Sequence, residues 1–208
     1  MKKIRNLFNK SFIWIILFIC IVLFLSLAED VLKNEIMKSD IIGYEFISNY
    51  LINNKLTPIM KIITWFGSAV PLLLITFLLI LFIKNKKIGF TVGINLVIIT
   101  ILNQILKAIL QRPRPSEYII KETGYSFPSG HSMVSMAFYG YLIYLIYNNI
   151  KNKNLKITLI LILSLLIFLI GLSRIYLGAH YVSDVIAGFT ISIAYLIIFT
   201  KIIYKWRR

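Results

Sequence analysis

Six apolar runs, each about as long as a helix that crosses a lipid bilayer, limit this chain to a membrane architecture. They cover approximately residues 11–28, 65–83, 88–110, 131–147, 155–172 and 182–204. A hydrocarbon core of about 30 Å takes roughly 20 apolar residues in a helix, within a range of about 17 to 25. Backbone N–H and C=O groups find no water in lipid, so such runs must satisfy them internally, as helices rather than as open strands. Of the 208 residues, 59% are hydrophobic and only 15% charged, which leaves little surface for a soluble domain. The expected fold is therefore all-α: a polytopic membrane protein with six transmembrane helices in one bundle. It forms a single domain over residues 1–208, with an anchor helix at 1–28, an extracytoplasmic or interfacial segment at 29–66, and a core at 67–208.

The net charge of +15 would suggest a nucleic-acid partner in a soluble protein. Here the basic residues stand in short stretches between apolar runs, where membrane topology accounts for them, and nucleic acid is discarded as a partner. Lys2, Lys3, Arg5 and Lys10 precede the first run; Lys84, Lys86 and Lys87 lie in the second loop; Lys151, Lys153 and Lys156 lie in the fourth; Lys201, Lys205, Arg207 and Arg208 end the chain. The positive-inside rule puts all four groups, and both termini, in the cytoplasm. The stretch 29–55 mixes Glu29, Asp30, Glu35, Asp40 and Glu45 with Lys33, Lys38 and Lys55, and belongs outside. The third and fifth loops then also face outward. Leu27-Ala28-Glu29 offers no clear small-x-small cleavage site, so the first run reads as an anchor rather than a signal peptide. Cys20, the one cysteine, lies in that run and permits no intramolecular disulfide.

Local chemistry refines these spans. Pro71 falls early in the second, where proline is tolerated, and Gly67-Ser68 before it predicts a separate short helix over residues 56–66. Residues 33–55 alternate loosely at helical spacing, as an interfacial helix does. Trp14, Trp65 and Trp206 fit interfacial belts. Tyr118, Lys121, Glu122 and Tyr125 read as a solvated loop, with a headgroup contact as the alternative.

Three polar segments at the ends of apolar runs carry the reactive groups, all on the expected outer face. In the first, Lys107 lies in the last turns of the third span and Arg112-Pro113-Arg114-Pro115 follows, so that helix should stop near Gln111 or Arg112. Taken alone, Lys107 also reads as a snorkelling lysine, and Arg112 and Arg114 as ordinary juxtamembrane charges. In the second, Pro128-Ser129-Gly130-His131 turns into the fourth helix, whose free N–H groups make an anion site; Ser129 or Ser132 as a plain N-cap is the other reading. In the third, Ser173-Arg174 precedes His180 and Asp184, which share a helix face at i,i+4 if the sixth helix starts near His180. The carboxylate can then fix one ring nitrogen as N–H and leave the other free as a nucleophile, although such pairs also occur as structural contacts.

Together, Lys107 with six residues to Arg114-Pro115, Pro128-Ser129-Gly130-His131, and Ser173-Arg174 with five residues to His180 and three more to Asp184 resemble the three signature motifs of the type-2 phosphatidic acid phosphatase family, matching at all eleven fixed positions. The resemblance runs from about Leu56 onward and suits the membrane branch of that family. It implies a multi-pass enzyme of the cell membrane, with its site outside the cytoplasm, hydrolysing a lipid phosphate or diphosphate such as undecaprenyl diphosphate, phosphatidylglycerol phosphate or phosphatidic acid. The implied roles are His180 as nucleophile forming a phosphohistidine, Asp184 orienting it, and His131 protonating the departing oxygen and then activating water. Lys107, Arg114, Arg174, Ser129 and Gly130 would bind the phosphate, with no metal or cofactor required. The motifs read the phosphate and leave the lipid open.

Two other functions compete. His131, His180 and Asp184 add up to two histidines and one carboxylate, the ligand set of a non-haem iron enzyme. Three nearby cations argue against it, since they repel a divalent ion and attract phosphate. A transporter with basic residues lining an anion path is the other, opposed by the lack of an internal repeat and by the crowding of these residues at one face.

Overall fold

The computed structural model describes the backbone of residues 2–33 and 37–207, and side chains over 11–33 and 37–203. The side chains of Lys2, Lys3, Arg5, Lys10, Glu35, Lys205, Trp206, Arg207 and Arg208, on which part of the topology reading rests, lie outside the described residues. Among the described residues the chain is all-helical, with helices α1 (Lys2–Leu32), α2 (Lys38–Tyr50), α3 (Leu56–Trp65), α4 (Ala69–Phe82), α5 (Lys86–Leu110), α6 (Gly130–Asn149), α7 (Lys153–Tyr176) and α8 (Val182–Arg207). The short helix expected before Gly67-Ser68 is α3, and a helix, α2, forms within 33–55.

Several boundaries have a local cause. Asn85 and Asn152 cap α5 and α7 by accepting from Lys87 N–H and Leu155 N–H. Gln111 closes α5 in the left-handed region at φ 44°, immediately before the Arg112-Pro113-Arg114-Pro115 run that cannot continue a helix. Two ends differ from expectation. Helix α1 continues past Ala28 to Leu32, and the Glu29–Lys33 pair, 2.7 Å apart and one turn along, suits that extension. Helix α7 runs to Tyr176, which takes Ser173 and Arg174 out of the loop and into its last turn. There Ser173 Oγ donates to Ile170 O, and Arg174 Nη1 and Nη2 donate to Thr64 and Glu122, so both polar residues of the helix's last turn find partners.

Four helices of the described residues are long and apolar enough to cross a membrane, and five spans result if the bent pair α3 and α4, which meet at 47°, forms one. Helix α6 is the remaining bundle helix, and its sequence explains why it stands apart. It packs against α5, α7 and α8, so buried Ser132, Ser135, Tyr139 and Tyr141 face protein rather than lipid. Tyr141 finds Thr91 at 2.9 Å, Tyr139 the Phe66 carbonyl at 2.8 Å, and Ser192 of α8 the Met133 carbonyl at 2.8 Å. A helix shielded in this way does not need an apolar surface all round. Leu72, Val92, Phe138, Ile170 and Phe199 from five helices meet around it in the main core. The lipid-sized outer surface is correspondingly apolar, with Phe18, Leu73, Phe77, Ile109 and Phe168 exposed.

Helices α5 and α6 run in opposite directions, so the end of α5, the start of α6, the end of α7 and the start of α8 come to one end of the bundle. Helix α2 joins them there, packed on α7 and α8. Lys84, Lys86, Lys151 and Lys153 belong to the opposite end.

Candidate active site

That end of the bundle holds a cavity of about 390 Å³ lined by Lys107, Arg114, Glu122, Gly130, His131 and His180 among others. Three separate helix termini meet around it. The i,i+4 relation of His180 and Asp184 holds across the entry to α8: helix begins at Val182, with His180 two residues outside it, yet His180 Nδ1 lies 3.4 Å from Asp184 Oδ2. Ser126 fills the angle between them. Its Oγ is 3.3 Å from His180 Nδ1 and donates to Asp184 Oδ2, which also accepts from Tyr181 N–H at 2.9 Å.

On the other side of the ring, Arg114 Nη1 lies 3.2 Å from His180 Nε2. A guanidinium only donates, so Nε2 must accept and the ring proton sits on Nδ1, directed at Ser126 and Asp184. The nitrogen facing the cavity is thus the one with a lone pair. Burial pushes the His180 pKa down to about 4; Asp184 opposes this, while Arg174 and Lys107 reinforce it. The imidazole is neutral at neutral pH.

The three expected phosphate-binding cations are brought together, but in the resting site they are occupied in sequence by residues 122–126. Arg174 Nη2 donates to Glu122 Oε1 at 2.5 Å, Arg114 donates to the Thr123 and Gly124 carbonyls at 3.0 Å each, and Lys107 Nζ donates to the Tyr125 carbonyl and, at 3.3 Å, to that of Ser126. Burial raises the Glu122 pKa, but the Arg174 charge and hydrogen bond outweigh it and hold the carboxyl below its ordinary value. Arg174 is 1% exposed and also donates to Thr64 Oγ1 at 2.7 Å, while its Nε is left without a partner. It stands behind Glu122 rather than on the cavity wall.

Gly130 and His131, the first residues of α6, both line the cavity. A Cβ on Gly130 would stand 3.1 Å from Asn103 Oδ1, tighter than an ordinary contact, so the glycine lets the start of α6 lie close against Asn103 of α5. Ser129 does not line the cavity. It is fully buried as the N-cap of α6, accepting from Ser132 N–H and Oγ, and its own N–H bonds the Asp184 carbonyl at 3.0 Å. It fixes the turn and ties α6 to α8. His131 also lines a second, apolar groove of about 600 Å³ between α4, α5 and α6, whose walls include Leu72, Gly93, Val97 and Val134. Among the described residues no three His, Cys, Asp or Glu side chains are gathered so as to hold a metal ion.

Several residues of this site carried no signal in the sequence. Arg112 is 6% exposed and donates to Asp184 Oδ1, Ser183 Oγ and Asp40 Oδ2, each at 2.7 Å, with its guanidinium 4.0 Å over the Tyr181 ring. It is no juxtamembrane surface charge. Glu122 is likewise an ion-pair partner rather than a member of a solvated loop. Only the proximity of Arg112 to the Arg114-Pro115 pair marked it.

Residues 88–208, which include every motif position named above, match the PAP2 superfamily. Phosphatidylglycerophosphatase B of Bacillus subtilis is 36% identical over 96 residues, 45% of this chain and 47% of that protein, so this chain matches about half the length of that relative. An undecaprenyl-diphosphatase of Sulfolobus acidocaldarius is 26% identical over 199 residues, covering 86% of this chain and 85% of its own. The crystal structure of a transmembrane PAP2-type phosphatidylglycerolphosphate phosphatase from Bacillus subtilis superposes with a TM-score of 0.78 at 25% identity, over 91% of this chain and 96% of that one. With the family match extending over more than half of its length, the chain belongs to the PAP2 superfamily.

Proposed function

We propose that this protein is a metal-independent lipid phosphatase, hydrolysing a phosphomonoester or diphosphate on a membrane lipid such as undecaprenyl diphosphate, phosphatidylglycerol phosphate or phosphatidic acid. The position of His131 carries this reading, because one side chain lines both the cationic cavity holding His180 and the apolar groove between α4, α5 and α6. A lipid phosphate seated with its anion in the first and its chain in the second has its ester oxygen at His131. The names of the relatives, which act on lipid phosphates and diphosphates, agree with it.

In the proposed reaction His180 Nε2 attacks phosphorus and the bond from phosphorus to the lipid oxygen breaks. That oxygen takes a proton from His131, whose charged form a neighbouring phosphate favours. Asp184 holds the Nδ1 proton and offsets the positive charge on the ring. Lys107, Arg114, Arg174 and the Gly130 N–H stabilise the equatorial oxygens, where phosphoryl transfer accumulates charge. Ser129 keeps the turn in place. Water, deprotonated by His131, then cleaves the phosphorus–nitrogen bond and releases phosphate. The reading includes six spans, with α3–α4 as one and α6 as another, both termini in the cytoplasm, and the site at the outer face of the cell membrane.

Purified protein in detergent micelles should release phosphate from at least one of the three lipids with EDTA present. His180→Ala should abolish both turnover and trapping of radiolabelled phosphate on the protein. Absence of release from all three lipids overturns the phosphatase reading, and wild-type turnover by the variant overturns the nucleophile.

A further inference from the structure

Asp40 lies on α2, outside the region that matches the family, and is 2% exposed. A carboxylate is buried this deeply only when it is paired and hydrogen-bonded. Its partners all lead to Asp184. Oδ2 accepts from Arg112 Nη2 at 2.7 Å and from Ser183 Oγ at 2.8 Å, and Oδ1 accepts from Ser183 N–H at 2.8 Å. Arg112 then extends Nη1 to Asp184 Oδ1 at 2.7 Å. Gly43, one turn along α2, admits close contact with α8: a Cβ there would stand 2.5 Å from Val182 Cγ2. The start of the helix carrying Asp184 is thus clamped against α2 by both packing and charge.

Docking α2 alone would not require this arrangement, since an apolar contact of the same size does so without the desolvation of three charges. The arrangement does have a consequence for the nucleophile. With Arg112 on Oδ1, the Asp184 carboxylate cannot rotate, and Oδ2 remains directed at Ser126, Tyr181 N–H and His180. Arg112 alone would also cancel the Asp184 charge that His180 feels. Asp40 supplies the compensating negative charge, so the group around Asp184 keeps a net charge of minus one.

We propose that Asp40 and Arg112 are positioning residues for His180, Arg112 fixing the Asp184 carboxylate and Asp40 preserving its negative field at the imidazole. This inference rests on the phosphatase reading and deepens it. The titratable and charged groups facing His180 are Asp184 on α8, Arg114 and Glu122 in the loop between α5 and α6, Lys107 on α5, Arg174 on α7 and His131 on α6. Asp40 and Arg112 act behind Asp184, and the two have opposite signs.

The test is the pH dependence of kcat and KM for short-chain phosphatidic acid in micelles, with folded protein quantified by size exclusion. Asp40→Asn should lower kcat about ten- to a hundredfold with KM within about twofold, and should move the acid limb to lower pH, because lost negative charge disfavours the protonated ring. Adding Arg112→Gln should move the limb back and recover part of kcat. Wild-type kcat and an unmoved limb in Asp40→Asn overturn the inference. Should that variant not fold, Arg112→Lys keeps the cation but cannot bridge Asp40, Ser183 and Asp184; a similar kcat loss with an unmoved limb supports the inference, and wild-type kcat overturns it. Failure of the wild-type protein on every lipid phosphate would instead sink the phosphatase reading, which separates the two outcomes.

Discussion

Arg114 Nη1 stands 3.2 Å from His180 Nε2, so a cation caps the lone pair that the proposed reaction uses. In the proposed reaction an arriving phosphate would draw the guanidinium onto its own oxygens and free the nitrogen in the same movement. Burial, reinforced by Arg174 and Lys107 and opposed by Asp184, favours the neutral ring, whose pKa is pushed down to about 4. The free enzyme's kcat/KM reports this ionisation. The acid limb set by His180 should fall as pH drops through about 4. The same shift acts on stability: the unfolded histidine, near 6.5, binds a proton before the folded one does. The stability contributed by the neutral ring is therefore complete above about 6.5 and is lost as pH falls towards 4. An acid limb of kcat/KM at 6 or above under single-lipid assay conditions would contradict the assignment.

Ser126 gives a second prediction, because it is fully buried and touches both His180 and Asp184. Replacing it with alanine removes one hydrogen bond to a carboxylate and one restraint on the ring, without altering charge. Ser126→Ala should lower kcat about tenfold, equivalent to ~1.4 kcal/mol of transition-state stabilisation, and leave KM nearly unchanged. Steady-state kinetics at neutral pH test this; an unchanged kcat would show that Asp184 orients His180 unaided.

The parts of this site that the sequence disclosed are those fixed by short-range chemistry. Pro113 and Pro115 stop α5 and leave Lys107 and Arg114 at its mouth, Gly130 opens α6, and four residues from His180 to Asp184 suffice for contact whether or not both are helical. The apolar runs set the bundle for the same reason. What escaped was pairing over distance. Arg112 meets Asp40 and Asp184 across 72 residues in either direction, and Arg174 meets Thr64 across 110. Nothing local distinguishes a surface charge from one that the fold will bury. The end of α7 was misplaced by the same mechanism, since the apolar run stops before Ser173-Arg174 and only their buried partners let the helix continue past it.

Glu122 occupies Arg174 at 2.5 Å and lines the cavity where the phosphate is proposed to bind, so it competes with any anion for that guanidinium. Its side chain is 31% exposed, leaving a route by which it can swing out. Glu122→Gln removes the competing charge and keeps the shape. Inhibition by vanadate, a phosphate mimic, should tighten about five- to tenfold, a gain of roughly 1 to 1.4 kcal/mol. Weaker or unchanged inhibition would mean that Glu122 supports the bound anion instead of yielding to it.

Gly93 tests the lipid side of the proposal, because it lies on the wall of the apolar groove and a Cβ there meets only Thr76 Cγ2, at an ordinary 3.5 Å. A larger side chain therefore has room to enter the groove without clashing with backbone. Leucine is also the better helix former, by about 0.8 kcal/mol or slightly less, so Gly93→Leu should leave the folded protein at least as stable. Filling the groove should raise KM for a long-chain lipid phosphate about tenfold, for ~1.4 kcal/mol of lost apolar contact. The cationic cavity, which Gly93 does not line, should still turn over a water-soluble phosphomonoester such as p-nitrophenyl phosphate at a rate within about twofold of wild type, as expected when only uniform binding is lost. Equal losses on the two substrates would place the lipid chain somewhere other than between α4, α5 and α6.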